Sequence, residues 1–227
     1  MKLKDAAREL LTRLGAVTPQ RFVLFLRGGL RYVEVGRWMR SHRYAVPIRV
    51  DRRDELFALA ASKVEGRKVL YLEFGVWRGD SMRAWMQLLR PDAVLHGFDS
   101  FEGLPETFTT SAHKGTFGTG GRPPAVGDPR VSFFTGWFEE TLPTYRPPDH
   151  EALVINMDAD LYSSTVFVLR SLRDWIRPGT LICFDEFHIA EHEQRAFDEF
   201  VAEAGLRFRV LAADRSLSHV LFECSGP

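Results

Sequence analysis

The chain has little that would place it outside the ordinary globular class. It contains two cysteines, Cys183 and Cys224, in 227 residues, which excludes a disulfide scaffold and fits a reducing, cytoplasmic compartment. It has no charge excess: Lys+Arg and Asp+Glu are both 30. A balanced chain carries no global field for nucleic acid or for an acidic membrane. Long apolar runs are missing too. Phe22 to Leu26 falls far below the roughly 20 residues that span a bilayer. The N-terminus, MKLKDAARELLTRLG, places Leu3, Ala6, Ala7, Leu10, Leu11 and Leu14 at helical spacing with charges between them, unlike a secretory signal. Neither G-x-G-x-x-G nor H-E-x-x-H occurs, which disfavours a dinucleotide site and counts against zinc.

What is present is a core-forming composition, 45% hydrophobic and 26% charged, in a length suited to one domain. Residues 1 to about 60 read as helical and irregular, broken at Pro19, Gly28, Gly29 and Pro47, with a helix in DRRDELFALAASKVEG that ends near Gly66. From there short apolar runs alternate with helical patterns. The runs are Val69–Phe74, Ala93–Phe98, Val131–Phe134, Ala152–Met157, Thr180–Phe184, Arg207–Leu211 and Ser218–Phe222. Helices fit between Gly79 and about Arg90, over 163–176 and over 189–204. This rhythm predicts an α/β fold, a mostly parallel seven-stranded sheet with helices on both faces. The expected division is a helical lid or extension over 1–65 and a main domain over 66–227. Residues 105–130, rich in Gly, Thr and Pro, interrupt the rhythm with a loop long enough to be functional or disordered.

Three motifs stand at predicted strand ends. In LEFGVWRGDSM, Glu73 and Gly75 close a strand, and Gly79 and Ser81 open a helix whose free N–H groups suit a carboxylate or phosphate. Asp99, in HGFDSFEGLPE, follows Glu73 by 26 residues, near the spacing of an acid that accepts ribose hydroxyls. NMDADLYSST holds Asp158 and Asp160, and CFDEFH holds Asp185 and Glu186. If those two strands are neighbours, up to four carboxylates converge, and a hard divalent cation would relieve their repulsion. Helix capping is the alternative, since Ser163 and Ser164 also mark a helix start. In an extended stretch Asp158 and Asp160 would share a face. His188 and His192 could share a helical face with Asp185 as zinc ligands, or be surface histidines. In VSFFTGWFEETLP, Gly136, Trp137 and Phe138 could stack on a flat heterocycle or pack in the core.

From about Glu73 to Phe200 the chain resembles class I S-adenosylmethionine-dependent methyltransferases of the macrocin O-methyltransferase type. EFGVWRGDSM, FDSFEGLPE, GWFEETLP and DADLYSST followed by FDEF carry the resemblance. It implies a Rossmann-like fold, S-adenosylmethionine and Mg2+ (or another divalent cation) as cofactors, and methyl transfer to a small-molecule hydroxyl, that of a sugar or glycosylated natural product. By the same resemblance, Glu73, Gly75, Gly79 and Ser81 surround the methionine part, Asp99 with Ser100 and Phe101 the ribose, and Gly136, Trp137 and Phe138 the adenine. Asp158, Asp185 and Glu186 take the metal positions, and Asp160 that of a general base. Glu186 departs from the Asp or Asn usual there. A catechol-like acceptor and a non-catalytic cofactor-binding relative are the rival readings. The expected partners are a small-molecule acceptor and further copies of the chain in a homo-oligomer such as a dimer, with no nucleic acid and no membrane.

Overall fold

The computed structural model describes residues 2–227, with side chains from Lys4 onward, so the Leu3 side chain lies outside the described part. Helix α1 (Lys2–Val17) and α2 (Gln20–Ser41) come first, followed by the two-residue strand β1 (Arg49–Val50) and α3 (Arg53–Lys63). Then come β2 (Val69–Phe74), α4 (Asp80–Leu88), β3 (Val94–Asp99), β4 (Val131–Thr135), the short α5 (Phe138–Thr141) and β5 (Ala152–Met157). The remainder is α6 (Tyr162–Ser171), β6 (Leu181–Phe184), α7 (Arg195–Ala204), β7 (Arg207–Asp214) and β8 (Val220–Gly226).

All eight strands join one sheet in the order β1-β7-β8-β6-β5-β2-β3-β4. Every neighbouring pair is parallel except those made by β8, which runs antiparallel between β6 and β7. The seven predicted strands are all present, and β1 adds an eighth at the edge beside β7. The central strands are buried on both faces, which is why they read as continuous apolar runs. Leu70, Leu72 and Phe74 pack with α2, α6 and α7 residues on one side, while Val69 and Tyr71 pack with α3 and α4 residues on the other.

Three expectations change. Gly28 and Gly29 do not break the chain: α2 continues through both, because glycine costs a helix about 1 kcal/mol without forbidding it. The helix expected over 189–204 is divided into a π-helical turn, Ala190–Gln194, and α7, with His192 at φ −115° and ψ −108°. His188 and His192 therefore share no helical face. His188 stacks on Tyr32 with ring centroids 5.1 Å apart, and the amide of Tyr162 donates to His192 Nδ1 at 3.2 Å, so the zinc option has no support. Strands β7 and β8 also run beyond their predicted ends.

Candidate functional site

Parallel register decides where the carboxylates go. Phe74 pairs with Met157, and Met157 with Phe184, so the residues that follow, Gly75, Asp158 and Asp185, leave the sheet side by side. The condition that the DADL and FDEF strands be neighbours is met. Gly75 has φ +90°, and a Cβ there would stand 1.8 Å from the Asp158 carbonyl oxygen, so no other residue fits this crossing. Gly79 turns the chain into α4 at φ +78°, its would-be Cβ 2.9 Å from Pro124 of the long loop.

These strand ends open into a cavity of about 760 Å³. Of the residues singled out from sequence, Gly75, Ser81, Asp99, Ser100, Gly136, Trp137, Phe138, Asp158, Asp160, Asp185 and Glu186 line it. Glu73, Gly79 and Phe101 do not. Glu73 is 1% exposed beneath the glycine turn, and burial pushes its carboxyl up to about 8. The Phe101 ring is fully buried, edge-on to Phe133. Asp99 braces the turn: Oδ2 accepts from the amides of Val76 and Trp77 at 2.8 Å each, and Oδ1 from that of Phe101 at 2.7 Å. Each carboxylate oxygen keeps further lone-pair capacity for a ligand. The Gly136 amide donates to the Asp99 carbonyl at 3.1 Å, which joins the aromatic turn to the acid. The 105–130 loop is folded over this opening, with Pro105, Glu106, Lys114 and Phe117 on the cavity wall. Phe117 meets Trp77 edge-to-face at 5.4 Å.

Sequence reasoning missed the countercharges. Arg53, at the start of α3, donates from Nη1 to Asp185 Oδ1 at 2.7 Å and to Asp158 Oδ2 at 3.5 Å. His219 Nε2 lies 3.0 Å from the same Asp185 oxygen, and the His219 amide donates to Asp214 Oδ1 at 3.1 Å. Burial alone would lower the His219 pKa; its hydrogen bonds and charge contacts with Asp185 and Asp214 outweigh that and carry it up to about 9. At Asp185 the hydrogen bonds and charges of His219 and Arg53 overcome burial and hold the carboxyl below the usual carboxylate range. Asp158 is pushed well up, by burial first and then by the charges of Asp185 and Asp160. No spacing rule marks Arg53 or His219. The signal available was the need of buried carboxylates for cations.

Asp160 reaches the cavity differently from the expected strand alternation. Its backbone is left-handed, φ +59°, so a turn rather than an extended run sets its direction. Burial, then the facing Glu186 carboxyl, pushes Asp160 up to about 8. Glu193, delivered by the π-helical turn, is a further missed acid: it is 1% exposed, its Oε2 accepts from the Glu186 amide at 3.2 Å, and its Oε1 has no partner.

Asp158, Asp185 and Glu186 offer the all-oxygen donors that a hard divalent cation takes, and Glu186 Oε2 is buried without a partner. Among the described residues no three His, Cys, Asp or Glu side chains stand in a metal-holding arrangement. The cation that faces Asp158 and Asp185 in this structure is Arg53.

The sheet order, the glycine turn under Asp99 and the carboxylates on adjoining strand ends define a Rossmann-like methyltransferase fold. The comparisons agree, and they bear out the resemblance read from the sequence. Residues 125–218 match the family described as Macrocin-O-methyltransferase (TylF). The 8-demethyl-8-(2,3-dimethoxy-alpha-L-rhamnosyl)-tetracenomycin-C 4'-O-methyltransferase of Streptomyces olivaceus is 32% identical over 143 residues, 52% of this chain and 52% of that protein. The demethyldecarbamoylnovobiocin O-methyltransferase of Streptomyces niveus is 28% identical over 165 residues, 63% of this chain and 62% of that protein. The chain thus spans about half to three-fifths of the length of these curated relatives. The crystal structure of the calicheamicin methyltransferase CalS11 superposes with a TM-score of 0.59 at 22% identity, covering 76% of this chain and 80% of that one, a likeness of fold. No helix among the described residues is long and apolar enough to cross a membrane.

Proposed function

We propose that the protein is an S-adenosylmethionine-dependent O-methyltransferase acting on a hydroxyl of a sugar or glycosylated natural product. The observation that carries this reading is one cavity lined by Gly75 and Ser81, by Asp99 and by Asp158 and Asp160 together. In this reading a donor seat lies beside Asp160, whose carboxylate form, populated above about pH 8, accepts the proton. The two curated relatives, both named O-methyltransferases and one of them for a rhamnosyl-tetracenomycin, support the acceptor class.

In this reading the Gly75–Ser81 turn and the start of α4 hold the methionine carboxylate, Asp99 takes the ribose hydroxyls, and Trp137 and Phe138 flank the adenine. Glu73 supports the turn from beneath. The acceptor oxygen attacks the sulfonium methyl in line. A C–O bond forms, the C–S bond breaks, and Asp160 takes the hydroxyl proton. Asp158, Asp185 and Glu186 would hold a divalent cation, which when bound supplies Lewis acidity toward the acceptor oxygen. The 105–130 loop and Arg53, at the end of the N-terminal extension, close the cavity against water.

The test is methyl transfer from labelled S-adenosylmethionine to a panel of glycosides, with and without chelator. Transfer that chelator abolishes is the expected result. Full transfer in excess chelator removes the metal part of the reading, and cofactor binding without transfer to any acceptor removes the enzymatic part.

A further inference from the structure

We infer that α1 and α2 form an arm that docks onto the body of a second copy of this chain. Eleven of the fifteen exposed large apolar side chains among the described residues lie between Leu10 and Val33. Every described side chain of α1 from Lys4 to Val17 is exposed. Most helical stability in proteins comes from packing an apolar face, and the described side chains of α1 bury none, so α1 needs a cover. Its Leu10, Leu14 and Val17 fall on one stripe by helical spacing, and Phe22, Phe25 and Leu26 continue the apolar surface along α2.

Helix α2 is apolar on two opposite sides. One side is already used. Val35 and Met39 are buried in the core, Trp38 packs edge-on to Phe187 at 5.1 Å, and its Nε1 donates to Asp198 at 2.6 Å. The other side, centred on Phe22 and Leu26, faces away from the body. A helix of this kind belongs between two protein surfaces.

Charge selects the occupant. Residues 1–41 hold nine Lys and Arg against three Asp and Glu, and residues 42–227 hold twenty-one against twenty-seven. The arm is therefore cationic by the same amount that the body is anionic. Two arms laid on each other would oppose like charges, whereas an arm on a partner's body pairs opposite ones. An anionic bilayer suits the arm less well. The polar surface of α1 is mixed, with Asp5 beside Arg8 at 3.6 Å and Glu9 beside Arg13 at 2.6 Å, where an interfacial helix is uniformly basic.

The test is light scattering on the full chain at micromolar concentration, with carbodiimide cross-linking of mixed light- and heavy-isotope protein. The wild type is expected to be a dimer whose dissociation constant rises at least tenfold between 50 and 500 mM salt, since surface charge pairs are screened. Cross-links are expected from Lys4 of one copy to acids beyond residue 42 of the other. Leu14→Arg and Phe25→Arg should give folded monomers with unchanged circular dichroism. If either misfolds, Arg21→Glu with Arg27→Glu leaves the apolar stripe intact and should weaken the dimer on its own. A monomeric wild type, cross-links confined to arm on arm, or charge reversal that leaves the dimer unaltered would overturn the inference. So would arm-dependent binding to phosphatidylserine vesicles by a protein monomeric without them. None of these readouts depends on methyl transfer.

Discussion

Arg53 and Asp185 lie 2.7 Å apart, and this contact ties the first turn of α3 to the carboxylate that ends β6. Arg53 also faces Asp158, so one side chain from outside the sequence motifs supplies countercharge to two residues inside them. Arg53→Ala is expected to leave both acids short of countercharge. It should cost roughly 1–3 kcal/mol in denaturant melts, since the pair is only partly buried. It should also lower kcat more than it weakens cofactor binding. Arg53→Lys should recover stability better than rate, because an ammonium replaces the charge without the planar fork. Equal recovery of both would make the contact purely structural.

Gly75 and Gly28 should respond in opposite senses to alanine. At Gly75 a methyl would collide with the Asp158 carbonyl at a left-handed backbone position. A loss of about 2–5 kcal/mol, with loss of cofactor binding, is expected. At Gly28 nothing lies within 4 Å and the backbone is helical, so alanine should stabilise by about 0.5–1 kcal/mol. Thermal melts of the two variants check both signs.

Asp160→Asn separates base from ligand. The amide keeps the shape and cannot accept the proton, so kcat should fall roughly 100-fold or more with cofactor affinity nearly intact. Unchanged kcat would remove the base role, and a parallel loss of divalent-cation binding would make Asp160 a ligand.

Much of the fold was legible because the central strands are buried on both faces, and a run such as Ala152–Met157 has no competing reading. The strand-end acids were legible because chemistry concentrates where parallel strands stop. Elsewhere the controlling interactions were remote. β1 is two residues long and exists through pairing with β7, more than 160 positions away, which no local pattern signals. Arg53 and His219 are far from Asp185 in sequence and meet it only once the sheet is ordered. The π-helical turn that delivers Glu193 has the apolar spacing of an ordinary helix, so the kink at His192 was invisible.

His96 gives a pH test away from the acids. Burial lowers its pKa to about 4, and its Nδ1 lies 2.7 Å from the Tyr145 hydroxyl. The folded protein keeps this ring neutral, while the unfolded chain binds a proton near about 6.5. Its contribution is therefore fully present above about pH 6.5 and is lost as pH falls toward 4, an effect of roughly 2–3 kcal/mol. His96→Gln should flatten the stability profile in that window. A profile identical to the wild type would mean that another group titrates there.

Calorimetric titration with S-adenosylhomocysteine reaches the central claim most directly, because it asks whether the cavity beneath Asp99 is a cofactor seat before any acceptor is known. One site per chain is expected, with no binding of NAD. Asp99→Ala should bind roughly 5- to 150-fold more weakly, the equivalent of about 1–3 kcal/mol. No heat from S-adenosylhomocysteine with the folded wild type, or full affinity in Asp99→Ala, would contradict the account.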